Sequence, residues 1–196
     1  LGRVLVGSGT LLYGTAPSYE KFKAIEVIAR IPYQSWEAVA YTLMTRFYSD
    51  EERAIRLSKV LPFARLAQDN ETMHVVVIAQ LTAKHCKVGL IRHTIIPLLF
   101  SFVYYWGVWL ISMFDRHVAF ELNYIFEDHA FHQYSEFIEM NADALKSSKI
   151  KSKFLEFYGR EAETEFEFFE SVRLDELIHR NASVLIVEEL KRKALM

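Results

Sequence analysis

The chain is poor in the residues that cross-link or interrupt a fold. Its 196 residues hold one cysteine, seven glycines and four prolines. The lone Cys86 excludes an internal disulfide and any cysteine-ligated cluster, and it is expected to be a small buried or interfacial residue. So few helix breakers point to a mostly helical chain. Neither sign of charge prevails: 23 Lys and Arg against 25 Asp and Glu leave a formal −2, so no basic footprint for nucleic acid is present. No secretory or transit segment is legible in the first residues. One stretch, Thr94–Phe114, lacks charge altogether over 21 positions.

Apolar and aromatic side chains are abundant instead. Hydrophobic residues make up 52% of the chain and aromatics 14%, an excess that points to a membrane contact or a large partner. The length suits one domain, 1–196, with a sizeable core. Residues 1–18 carry most of the glycine and end in Pro17-Ser18, which predicts an irregular lead-in with Ser18 as an N-cap. Helical periodicity then runs from Tyr19 to about Phe47, bent or reset at Pro32. Ser49-Asp50-Glu51-Glu52 is an acidic helix start, and a further helix covers Phe63–Ala83. Thr94–Phe114 is long enough to span a bilayer, yet Tyr104, Tyr105, Trp106 and Trp109 at its middle favour an interface. A spanning helix, a core helix and a helix lying in one leaflet all fit. Another helix covers Phe120–Met140, Asn141–Lys153 is expected to be a loop, and the acidic run over 161–170 a solvated surface. A last helix follows from about Glu165 to Leu190.

Two Glu-x-x-His steps stand out, Glu71/His74 and Glu176/His179. Residues three apart on a helix lie about 60° apart around the axis, so carboxylate and imidazole can point at one spot. The spacing alone is common by chance. Its surroundings say more, because Val75-Val76-Val77-Ile78 follow the first pair and Val172, Leu174, Leu177 and Ile178 enclose the second. Carboxylates in such apolar company need a partner charge or a metal. Two such pairs, with a lone glutamate on each of two other helices, are the ligand set of a di-iron carboxylate four-helix bundle. For one lone glutamate Glu26 and Glu37 compete, with a surface ion pair as the plain alternative. For the other, Glu127 lies on an apolar stripe with Tyr124, Phe131 and Tyr134. His85 and His93 share no spacing with a carboxylate and are expected at the surface or an interface.

Four ordered segments resemble the motifs of the plastid terminal oxidases and their relatives, the alternative oxidases. They are Ile25-Glu26-Val27-Ile28-Ala29-Arg30-Ile31-Pro32-Tyr33, Asn70-Glu71-Thr72-Met73-His74, the stretch Phe126–Tyr134, and Arg173–His179; the likeness covers about residues 18–190. It implies an all-α, ferritin-like di-iron four-helix bundle with additional membrane-facing helices. Glu26, Glu71, Glu127 and Glu176 would bridge or cap two irons, with His74 and His179 as nitrogen ligands. Asn70 and Asp175 would orient those ligands, and Tyr134 would be catalytic, sitting beside the irons. Ile25, Ala130 and Gln133 match positions lining the family's quinol pocket. Lys21 stands where the family has arginine, which removes a bidentate fork from that contact. The implied reaction oxidises two quinols with one dioxygen to two quinones and two waters, without proton pumping.

The resemblance also implies a homodimer with Thr94–Phe114 in one membrane leaflet. Ile-Pro-Tyr and the Glu-x-His-Ala-Phe pattern favour the plastid branch, hence plastoquinol and a thylakoid membrane, with ubiquinol and the mitochondrial inner membrane second. The segment before the last helix is shorter than the plastid type usually carries. Two rivals are a ferritin-like di-iron hydroxylase and a family member retained as a structural subunit of a larger membrane complex. Loss of a ligand would favour the latter, and all six are present.

Overall fold

Residues 2–194 are described in this computed structural model, and their regular structure is helical apart from one isolated bridge between Lys149 and Thr164. The helices are α1 (Gly2–Tyr13), α2 (Tyr19–Ala29), α3 (Ile31–Arg46), α4 (Glu51–Ser58), α5 (Leu61–His85), α6 (Ile96–Phe114), α7 (Arg116–Ser147), α8 (Lys153–Phe157) and α9 (Glu165–Ala194). A π-turn at Ile91–Ile95 leads into α6. Starts are set locally. Ser18, Asp50, Asp115 and Ser152 each accept a backbone N–H in the first turn of the helix they precede, satisfying a donor that the helix itself cannot. Pro32 sits in the first turn of α3, where its missing N–H costs nothing. The bend expected there is a break at Arg30 between α2 and α3.

Four helices form the bundle: α2 packs on α5, and α7 on α9. Two apolar clusters fill it. One gathers Phe22, Met73, Val77, Phe137, Phe168, Phe169 and Val172; the other gathers Tyr33, Trp36, Ala64, Ala67, Phe120 and Val187. On α7 and α9, Glu127, Glu176 and His179 fall between the two clusters along the helix, as Glu71 does on α5, where His74 adjoins Met73 of the first. The site is therefore clamped from both ends by packed side chains.

Helix α6 lies against α2, α3 and α7. Ser101, Tyr104, Val108 and Ser112 are buried on its inner side, at spacings of three and four. Ser101 donates to the carbonyl of Val27 at 3.1 Å, and Ser35 of α3 donates to that of Tyr105 at 3.1 Å. Leu98, Leu99, Phe102, Val103, Trp106, Leu110 and Phe114 face outward and are at least half exposed. The segment Ile91–Phe114 is long and apolar enough to cross a membrane by length and composition.

Three expectations need correction. Residues 1–18 are not an irregular lead-in, since Gly2–Tyr13 is helical. Tertiary contacts override the glycines: Gly2 sits close to Leu122 and Ile125 of α7, and Tyr13 donates to the Arg92 carbonyl at 2.7 Å. Asn141–Lys153 is not one loop, because α7 runs on to Ser147 with Leu145 buried in the core. The lysines and serines there are adequate helix formers once an apolar residue anchors the turn. Glu165 is not solvated but fully buried. It accepts hydrogen bonds from Tyr19 at 2.6 Å, Lys84 at 2.7 Å and His85 at 2.9 Å.

Candidate metal centre

Helix α2 contributes Glu26, α5 Glu71 and His74, α7 Glu127, and α9 Glu176 and His179. All six are buried. They form two overlapping groups. In one, ligand atoms of Glu26, Glu71, His74 and Glu176 lie within 4.8 Å of one another; in the other, those of Glu71, Glu127, Glu176 and His179 do. Glu71 and Glu176 belong to both. Nδ1 of His74 is 3.5 Å from carboxylate oxygens of Glu26, Glu71 and Glu176. Nδ1 of His179 is 3.0 Å from Glu71 and 3.9 Å from Glu127.

The polar atoms at the centre test whether a metal pair fits. Glu26 Oε2, both oxygens of Glu71, Glu176 Oε1 and Nδ1 of each histidine are buried without a hydrogen-bond partner. Buried polar atoms left unpaired are rare and costly, and here they converge. Four carboxylates carry four negative charges, which two divalent cations neutralise. Hard oxygens with two imidazoles suit iron. The residues fit the group.

The titration behaviour agrees. Burial pushes the Glu26 carboxyl up to about 7, against the nearby His74 imidazole and the hydrogen bond from Tyr134. Burial likewise raises Glu127 and Glu176, the latter also repelled by Glu71 and Glu127. Against burial, the nearby imidazoles of His179 and His74 hold Glu71 below the usual carboxylate range. Both histidines are raised despite burial, by Asp175 and the surrounding carboxylates at His74 and by Glu71 and Glu127 at His179. The set as a whole calls for positive charge.

Around this centre lie Asp175, Asn70 and Tyr134. Nε2 of His74 is 3.0 Å from Asp175, and Nε2 of His179 is 3.3 Å from the Asn70 amide. The Tyr134 hydroxyl donates to Glu26. Glu37, the rival of Glu26, sits instead in a surface pair with Arg65 at 2.7 Å and accepts from Gln68.

A cavity of about 130 Å³ runs between α1, α2, α6 and α7. Lys21, Ile25, Ala130 and Gln133 all line it, together with Glu26, Glu127, Glu176 and Tyr134. The rest of its wall is mostly apolar and includes Leu12, Pro97 and Phe100. Lys21 donates to Gln133 Oε1 and, at 2.9 Å, to the carbonyl of Thr15; burial pushes its ammonium pKa down.

Sequence reasoning missed several residues here. The Tyr33 hydroxyl donates to Glu127 Oε1 at 2.5 Å and accepts from Asn123 at 3.1 Å. Asn123 precedes Glu127 by one helical turn, and that spacing is its only sequence signal. Arg160 reaches Asp175 and Asn70 from outside the bundle, and nothing in its local sequence marks it. Helix α1, read as irregular, supplies part of the cavity wall.

No curated protein and no solved structure matches the chain. The family model described as alternative oxidase matches residues 12–186, a span that contains every residue of the buried centre. The chain belongs to the alternative oxidase family, membrane-associated di-iron enzymes that oxidise quinols with dioxygen.

Proposed function

We propose that this chain is a plastoquinol oxidase seated on one leaflet of a thylakoid membrane, with its irons held by the six buried residues. Glu26, Glu71, His74 and Glu176 would hold one metal, and Glu71, Glu127, Glu176 and His179 the other. The observation that carries this reading is the apolar cavity, whose lining extends from α1 and α6 to Glu26, Glu127, Glu176 and Tyr134.

The chemistry that iron supplies when bound is the passage of electrons from quinol to dioxygen. The chain's own groups do the rest. The cavity wall excludes water and takes a quinol ring by burying its apolar faces. Lys21 and Gln133, already bonded to each other, present polar atoms for a quinol oxygen. The Tyr134 hydroxyl, bonded to Glu26, holds a proton at the edge of the centre. A quinol that reaches Glu26 from the cavity has a carboxylate within range to receive its proton.

The one-leaflet seat is carried over from the family; α6 fits a lipid contact because its inner side is occupied by protein and its outer side is apolar. The family's dimer is carried over as part of the proposal. The plastid assignment rests on Ile31-Pro32-Tyr33, whose tyrosine bonds to Glu127, and on Glu127-Asp128-His129-Ala130-Phe131. Oxygen uptake with short-chain plastoquinol and ubiquinol analogues tests it. A several-fold higher kcat/KM for plastoquinol is expected, and a ubiquinol preference of the same size would move the protein to the mitochondrial branch.

A further inference from the structure

Arg160 lies in the turn between α8 and α9, far in sequence from most of the residues it touches. Gly159, at φ +65°, reverses the chain just before it. Only glycine takes that conformation without strain. The Gly159 N–H donates to Glu156 O at 3.1 Å and the Arg160 N–H to Leu155 O at 2.9 Å, which close the turn against α8. The guanidinium is thereby aimed back at the bundle. Its Nη2 is 2.8 and 2.7 Å from the two oxygens of Asp175 and 3.2 Å from Oδ1 of Asn70.

These two partners stand behind the two histidines. Asp175 is 3.0 Å from Nε2 of His74, and the Asn70 amide is 3.3 Å from Nε2 of His179. One side chain thus touches the outer support of both imidazoles. Asp175 is almost fully buried while the Arg160 side chain is about one-third exposed. Losing the arginine would leave a buried carboxylate with a single hydrogen-bond partner, His74, and free it to turn away.

We infer that Arg160 is a positioning residue, which fixes Asp175 behind His74 and Asn70 behind His179 and so sets how tightly the pair of irons is held. The inference rests on the proposed ligand set. All three contacts come from one guanidinium nitrogen, Nη2; a lysine ammonium would keep the charge beside Asp175 as a more mobile point donor and fix the two acceptors less firmly. Groups that orient metal-binding histidines typically govern metal affinity by about 10–100-fold.

The test uses purified full-length protein in detergent. Iron retention is measured by competition with a ferrous chelator, alongside the thermal midpoint and helix content of the iron-stripped protein. In Arg160→Ala, iron is expected to be held about 10–100-fold more weakly, with the stripped protein unchanged in helix content and within a few degrees in midpoint. Arg160→Lys should recover part of the affinity by keeping the contact to Asp175. Unchanged iron retention in Arg160→Ala overturns the inference. So does a stripped protein that has lost its helix content, which would make the role merely structural. If the wild type itself takes up no iron, the proposed ligand set fails first, and that outcome is distinct from either.

Discussion

Tyr134 and Tyr33 occupy matching places on opposite sides of the buried centre, one bonded to Glu26 and the other to Glu127. They differ in what surrounds them. Tyr134 lines the cavity together with Glu26, whereas Tyr33 is packed among Trp36, Phe63 and His179. Replacing Tyr134 by Phe is therefore expected to lower kcat at least about tenfold with iron content unchanged, as read by oxygen uptake and metal analysis. Tyr33→Phe strips Glu127 of a donor and should cost about 1–3 kcal/mol of stability, read by denaturant unfolding, with a smaller effect on kcat. A second residue-scale prediction concerns Glu165. Burial would raise its pKa, but Lys84, Tyr19 and His85 together hold it below the ordinary carboxylate range. Its contribution is therefore present above the unfolded carboxylate pKa and lost as pH falls through the folded value. Glu165→Gln should destabilise the protein near neutral pH by about 1–3 kcal/mol, and the difference from wild type should shrink in acid. At this scale the sequence was informative for ligands and poor for their supports. Glu71 and His74 stand out within one helix by their spacing together with the apolar residues that follow them. Arg160 and Asp175 belong to different elements, and only the turn at Gly159 brings them together.

Elements were legible where one periodic face meets the core, as in α5 and α9. They were misread where tertiary contacts overrule composition. Helix α1 forms despite three glycines because α7 and the π-turn receive it. The end of α7 stays helical because Leu145 is buried. The uncharged stretch 94–114 left three placements open, since length and hydropathy cannot say what covers each side of a helix. Burial of Ser101, Tyr104, Val108 and Ser112 against protein, with Phe102 and Val103 bare, separates the sides. Charges on the bare side should weaken membrane attachment without unfolding the bundle. Phe102→Asp with Val103→Asp is expected to reduce partitioning onto lipid vesicles at least about tenfold, measured by co-sedimentation, with helix content unaltered. Unchanged sedimentation would show that α6 is not the attachment surface.

Taken whole, the molecule places a buried, four-carboxylate centre between two aromatic clusters, with an apolar cavity lined in part by its residues. Metal bound only by the folded state stabilises that state, so stripping iron should lower the thermal midpoint, and restoring it should bring the midpoint back. The quinone and the membrane are the least legible features, because apolar walls distinguish ring substituents weakly. The most direct test of the central claim is oxygen uptake by the purified protein with a soluble quinol, measured together with iron content and a Glu127→Ala variant. About two irons per chain, uptake in proportion to iron, and loss of uptake in the variant are expected. A folded protein that takes up neither iron nor oxygen after reconstitution would contradict it, and would favour a structural role within a larger membrane complex.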